Sequence, residues 1–285
     1  MIYSILNNSL DVRVIDFVRR DSHHLGIISG DSFQIEEILP HVTIHDHKLA
    51  LKVQGVSIAE QIILLRYWLF SRVYWNQPNR TFCAMARVLF IELHKCEGFS
   101  VEMRNKLLKL DQRGMVEFLI ENCRKFKLEP LIDIAERLSG EEHTMYRVLF
   151  ETSSVNKELD DNFDKLKNLD LSELDELAKL VASKLSEIGM DKSNKGILPI
   201  IVDFPIEPDN TKMGQDVKVR INKKLFQDLH VVSGIIDGVN NSFENQLSRF
   251  RVFIHPDLKP NKENRNKYRE ATKFAVIEYL SHLEK

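Results

Sequence analysis

The chain has 285 residues, 43% hydrophobic and 29% charged, with 40 Lys and Arg against 42 Asp and Glu. That length can bury a sizeable core and suits one large or two modest domains. The formal net charge of −2 argues against a general polyanion binder, which carries excess cations.

Residues up to about Leu25 read as helix, followed by a turn from Gly26 to Asp31. Within this stretch, LDVRVIDFVRRDSHHLGI (10–27) places Asp11, Asp16 and Asp21 five residues apart, with Arg13, Arg19 and Arg20 among them and His23-His24 behind. Such spacing serves either an active site or a solvated, salt-bridged helix face. HVTIHDHKLALKV (41–53) alternates apolar and polar residues on both sides of a polar tip, the pattern of a short β-hairpin. His41, His45 and His47 read either as a surface chelate or as ordinary exposed imidazoles.

Gly55 ends the hairpin. Ser57 and Glu60 predict a capping box for a long helix, SIAEQIILLRYWLFSRVYWNQ. Pro78 suits the first turn of the next one, PNRTFCAMARVLFIELHKC. Shorter amphipathic helices are expected in VEMRNKLLKL, MVEFLIENCRKF and PLIDIAERL, up to about Leu138. Residues 155–188 have helical spacing and suggest one or two packed helices. ILPIIVDFP, DVKVRI and RFRVFIHP read as strands, and NRNKYREATKFAVIEYLSHLEK as an amphipathic helix. No internal repeat or low-complexity segment is present. Cys83, Cys96 and Cys123 form no CxxC pair and fit reduced thiols. No secretory leader is legible, and the most apolar run, IILLRYWLF, is too short to span a bilayer. A cytoplasmic location with no membrane contact is expected.

Four stretches together resemble the HD-domain deoxynucleoside triphosphate triphosphohydrolases, including their vertebrate SAM-and-HD-domain branch. They are residues 10–27, LLRYWLFSRVYW (64–75), NSFENQLSRFRVFI (241–254) and YREATKFAVIEYL (268–280). The resemblance covers most of the chain and is weaker between about 100 and 195. With the pattern above it implies a mostly α chain. Residues 1–150 form an HD-phosphohydrolase-like helical half-domain with a β-hairpin, 151–195 a helical linker or arm, and 196–285 a small α+β module. It also implies that the family's upstream His and His-Asp pair would lie before residue 1, so that a fragment, a natural half-protein or a shortened relative is expected.

Residue by residue, Phe17 stands where the family has a substrate-flanking Tyr. Asp21 matches the acceptor for the sugar 3′-hydroxyl, Arg66 the phosphate-contacting Arg and Tyr74 the aromatic under the sugar. A triphosphate pocket needs such a cation, acceptor and flat wall. Asp21 and Arg66 could instead form a buried structural ion pair.

The family's final metal-ligating Asp corresponds to Arg13, which replaces attraction of a cation by repulsion. No catalytic residue or metal ligand is therefore assigned. No cofactor is expected in this chain alone, and a divalent metal only where a partner supplies the HD ligands. The vertebrate branch also holds regulatory nucleotides with basic residues. Lys52 remains here, but Gln54 and Gln77 stand where that branch has lysines. The run KPNKENRNKYREATK (259–273) reads as a solvated loop and helix start, not a nucleic-acid site. Walker A, G-x-G-x-x-G, H-E-x-x-H and G-x-S-x-G patterns are absent from the sequence.

The expected function is a dNTP triphosphohydrolase-like subunit or C-terminal half, nucleotide-binding or regulatory and not catalytic alone. Two alternatives stand beside it: an interaction protein partnering an active HD subunit, and one half of a split phosphohydrolase. The aromatic residues between Ser57 and Cys96 suggest a homo-oligomer or an HD-bearing partner.

Overall fold

The computed structural model describes residues 2–27, 35–140, 144–156, 159, 162–190, 196–205 and 213–283. Part of the expected turn, 28–31, lies outside them. The described chain is mostly helical with two small sheets, and it divides into two units. One comprises residues 1–76 and 206–248; the other comprises 77–205 and 249–285. This differs from the linear division at 150 and 195, because both sheets are built from strands far apart in sequence.

In the first unit the hairpin forms as read, with strands Val42–His45 and Lys48–Lys52 in antiparallel register. Asp46 and His47 make its tip with φ of 48° and 59°. Two consecutive positive φ values define a two-residue turn whose twist matches that of the strands. Lys48–Lys52 then pairs in parallel with Lys218–Arg220, which pairs antiparallel with Phe226–Asp228. The helices Val12–His24, Val56–Leu69 and Gly234–Ser242 share an apolar core with this sheet around Val18, Leu51, Ile62, Val219 and Ile236.

Ser9 ties the unit's two chain segments together. Its N–H and hydroxyl donate to Asp216 at 2.9 and 2.5 Å, and its Oγ accepts from Gly214 N at 2.8 Å. The capping box expected at Ser57 and Glu60 does not form. The N-cap of that helix is Gly55, without a side-chain bond, and Glu60 accepts instead from the Ser233 hydroxyl.

In the second unit the strand Phe250–Ile254 is buried along its whole length between antiparallel neighbours Arg147–Thr152 and Ile200–Asp203. Both faces are covered. Val202, Phe250, Val252 and Ile254 join a core with helices Leu171–Glu187 and Arg265–His282. Ile201 and Phe253 join another with helices Gln77–Lys95, Gln112–Lys125 and Glu129–Ser139. A strand covered on both faces is expected to read as a continuous apolar run; here Arg251 interrupts it, buried and donating to Glu151 at 2.6 Å. The Leu171–Glu187 helix, within the segment read as a linker or arm, buries Leu174, Leu177, Val181 and Leu185 in this core.

Three acids of this unit, Asp203, Asp133 and Glu151, are each engaged by two side chains. Asp203, fully buried, accepts from Arg80 Nε and Nη2 at 2.9 and 2.7 Å and from Arg87 at 3.3 Å. Asp133 accepts from Arg137 Nε at 3.0 and 2.9 Å and bonds His255 Nε2 at 3.0 Å. Burial alone would raise the Asp133 pKa, but the bonds from His255 and Arg137 outweigh it and hold the carboxyl below the usual range. Glu151 is lowered in the same way: burial opposes ionisation, and Arg251 and Arg249 more than offset it.

A carboxyl depressed in the folded state binds fewer protons there than when unfolded. Its stabilisation is present above the unfolded pKa, about 4, and is lost as pH falls through the lower folded value. Denaturant midpoints measured from pH 6 down to pH 2.5 should therefore decline below about pH 4. Asp133→Asn should lower the midpoint at pH 6 and flatten the decline.

Candidate functional site

The helix Val12–His24 is fixed at both ends. Asp11 caps it, accepting from Val14 N at 2.8 Å, and is buried. At the other end Gly26, at φ 66°, closes a Schellman turn, with Ile27 N donating to Ser22 O and Gly26 N to His23 O. Val14, Val18 and Ser22 face the core, which leaves Phe17 and Asp21 half-buried on the adjacent flank.

The helix Val56–Leu69 runs on into a π turn, Phe70–Tyr74, closed by Trp75 N donating to Phe70 O at 2.9 Å. In a continuous α-helix, four residues drift about 40° round the axis. The wider π turn advances each residue by a smaller angle and reverses that drift. Arg66, Phe70 and Tyr74 thus form one row: the Arg66 guanidinium lies 5.8 Å from the Phe70 ring centroid, and the Phe70 and Tyr74 rings are 5.1 Å apart.

Three of the four expected site residues meet. Tyr74 donates its hydroxyl to Asp21 Oδ2 in a short hydrogen bond, and its ring meets Phe17 edge-on at 6.4 Å. Burial raises the Tyr74 pKa, and the bond to Asp21 raises it further. Arg20 Nε lies 3.4 Å from Asp21 Oδ1.

No bond joins Asp21 to Arg66 among the described residues, so the alternative of a structural ion pair between them is not seen there. Arg66 is only 4% exposed, and its Nε and Nη1 have no hydrogen-bond partner among those residues. Burial lowers its pKa, against the attraction of Asp11 and Asp216. Phe17, Asp21, Arg66 and Tyr74 do not line the unit's 760 Å³ groove, which lies on the other flank of the Val12–His24 helix against Val12, Ile15 and Arg19, with Leu39 opposite.

The described residues around Arg13 do not fit a divalent cation. Arg13 folds back on Asp11, with Nη2 and Nε 2.8 and 3.3 Å from Oδ2, while Oδ1 serves the cap. His45 stacks on Phe226 at 3.7 Å, and no three His, Cys, Asp or Glu side chains converge among the described residues.

The second unit holds a polar cavity of about 580 Å³ that the sequence reading missed. Arg147, Lys259, Arg265 and Arg269 line it, with Gln77 and with Glu151 as the one lining carboxylate among the described residues. The oxygens of Glu151 are already engaged at 2.6 Å by Arg249 and Arg251. The Arg265–His282 helix carries no acid in its first turn, although its dipole there favours negative charge. Cations at that end, facing a cavity, suit an anion. The legible signal was Arg265 and Arg269 one turn apart just after Lys259, which the sequence reading assigned to solvent.

Residues 33–271 match the family model described as the HD associated region, and the chain belongs to that family. It is 23% identical over 184 residues to the uncharacterized protein YwfO of Bacillus subtilis strain 168, covering 55% of this chain and 42% of that protein. It also resembles a hypothetical protein from Aquifex aeolicus, at a TM-score of 0.55 and 16% identity over 92% of this chain and 57% of that one. A phosphohydrolase from Bacteroides thetaiotaomicron gives a TM-score of 0.51 and 12% identity, over 89% and 63%. These structures share the fold, and the chain spans roughly half of each relative's length. The relationship is to the HD superfamily. No helix among the described residues is long and apolar enough to cross a membrane.

A buried guanidinium lacking partners costs free energy that an apolar group of similar volume would not. Arg66→Met should therefore raise the thermal midpoint of the unliganded protein, by about 1–3 kcal/mol of stability. Calorimetric melts of both proteins check it; a lowered midpoint would show that Arg66 is already satisfied.

Proposed function

We propose that this chain is the nucleotide-binding portion of a dNTP triphosphohydrolase-like assembly. It is not catalytic by itself. It works in the cytoplasm as a homo-oligomer or with an HD-bearing partner, which would supply the metal ligands. The observation that carries this reading is Arg66: a buried cation with two unmet donors beside an aromatic row ending in Asp21. A phosphate oxygen is the partner such a guanidinium fits best. Asp21 Oδ2 already accepts from Tyr74, so a sugar hydroxyl would share or displace that bond. The basic cavity of the second unit supports a regulatory role as well, because its four cations suit a second phosphate-bearing ligand. Gln77 lies on its wall, so the loss of a lysine there still leaves a strongly cationic lining.

Hydrolysis of a phosphoanhydride in this class needs a metal-activated water. With Arg13 at the ligand position, the chain alone should release no triphosphate from any dNTP in the presence of Mn²⁺ or Mg²⁺. It should nonetheless bind a dNTP in isothermal titration. Arg66→Met should weaken that binding by about tenfold or more, the worth of one charge-assisted hydrogen bond. A folded wild type that binds none of the four dNTPs would sink the reading.

A further inference from the structure

Beyond the candidate site, the first unit carries the 760 Å³ groove on the other flank of the Val12–His24 helix. Its floor is Leu10, Ile38 and Leu51, each buried. Val12, Ile15, Arg19 and His23 line it at helical spacing, along about 16 Å of the helix axis. That wall is therefore apolar where the helix begins and polar where it ends.

The apolar surface does not stop at the floor. Val12 is 49% and Leu39 61% exposed, and the short helix Ile2–Leu6, which supplies Ile5 to the groove, also exposes Tyr3 and Leu6. A small amphiphile lodged in the groove would leave those rims in water, whereas a protein surface laid across it covers floor and rims together. A second copy pairing through the same flank would set groove against groove and leave both floors uncovered. At the polar end, Asp16 is the one lining carboxylate among the described residues, and Arg20 holds it at 2.7 Å. Arg19 is exposed there, and no ion pair takes it up among the described residues.

A helix that docks in a groove inserts side chains at i, i+3 or i+4 and i+7. To match this groove it needs two apolar anchors beside Val12 and Ile15, and an Asp or Glu about one turn further on, facing Arg19. We infer that the groove docks an amphipathic helix of the HD-bearing partner, with its apolar ridge between Val12, Ile15 and Leu39 and a carboxylate on Arg19. The inference rests on the reading that such a partner exists. It gives the Val12–His24 helix two uses: one flank carries Phe17 and Asp21 for a nucleotide, and the other seats the chain that would supply the metal ligands. Fixing both to one rigid element is what a site shared between chains requires.

The test places a photo-reactive phenylalanine analogue at Val12 or Leu39 of the full chain, and at Leu108, an exposed position of the second unit, as control. Irradiation in the cells that encode the chain, followed by mass spectrometry of the cross-linked peptides, identifies what lies over each position. Val12 and Leu39 should capture the same amphipathic helix of a chain that carries a His and an adjacent His-Asp pair, and Leu108 should not reach it. Capture from the groove of a second copy, of another stretch of this chain, of a lipid, of a protein without those residues, or of nothing overturns the inference. An HD-bearing chain captured from Leu108 alone keeps the partner and removes the groove. No HD-bearing chain from any position removes the partner itself, while the dNTP titration reads the nucleotide site separately.

Charge reversal then reads the polar end. Arg19→Glu, at an exposed position that leaves the fold intact, should weaken association with the captured chain by about tenfold, and replacing the partner's facing carboxylate by Arg should restore most of it. A folded Arg19→Glu protein that associates as tightly as the wild type overturns the inference.

Discussion

Charge taken out of water must find charge or hydrogen bonds of its own, and both units are organised around that constraint. In the second unit the requirement is met internally for Asp203 and His255. Asp203 sits fully buried at the end of the strand Ile200–Asp203, where Arg80 and Arg87 reach it from the helix Gln77–Lys95. His255 is buried because Asp133 and the Asp257 amide satisfy its two nitrogens. In the first unit the requirement is only partly met. Asp11 is satisfied by its cap and by Arg13, whereas Arg66 keeps two buried donors without a hydrogen bond among the described residues. A stability-optimised interior would have an apolar residue there, so this departure is the kind expected at a binding position.

Local backbone devices set where these groups point. The π turn after Leu69 brings Tyr74 back into line with Arg66, which a regular helix would not do. The Schellman turn at Gly26 ends the Val12–His24 helix about one turn after Asp21. The His255 ring caps the turn before Lys259, accepting from Asp257 N. In each case one or two hydrogen bonds of a backbone N–H, each worth about 1 kcal/mol, set the direction of a charged side chain.

The legible parts of the fold were those governed by local pattern. The hairpin announced itself through period-two alternation around Asp46-His47, and the helices at 101–107, 112–125 and 129–139 through their apolar stripes. Tertiary pairing was not legible. The strand Arg147–Thr152 lies in a stretch with no clear alternation, because Leu149 and Phe150 are both buried at a shift in register. Nothing near Lys218 shows that its strand pairs with residues 48–52, so the interleaving of the two units was invisible. Ser57 and Glu60 had the right spacing for a cap, but a tertiary partner, Ser233, claimed the carboxylate. At the site, resemblance pointed to Asp21 and Tyr74 together. The missing partners of Arg66 and the concave face behind Lys259 and Arg265 are properties of three-dimensional packing alone.

The two arginines of the first unit separate binding from chemistry. Arg13 lies at the position where the resembled family ligates metal, and it spends its charge on the neighbouring Asp11, at the solvent-exposed start of a helix. Arg66 lies where that family contacts phosphate, and it is buried with two donors that have no hydrogen-bond partner among the described residues. A substitution at the first position removes a ligand without disturbing the fold, because an exposed guanidinium is well hydrated and easily paired. A charge kept at the second position has a standing cost in stability. In the proposed reading that asymmetry is what a chain retains when recognition of a nucleotide still matters and hydrolysis by this chain does not.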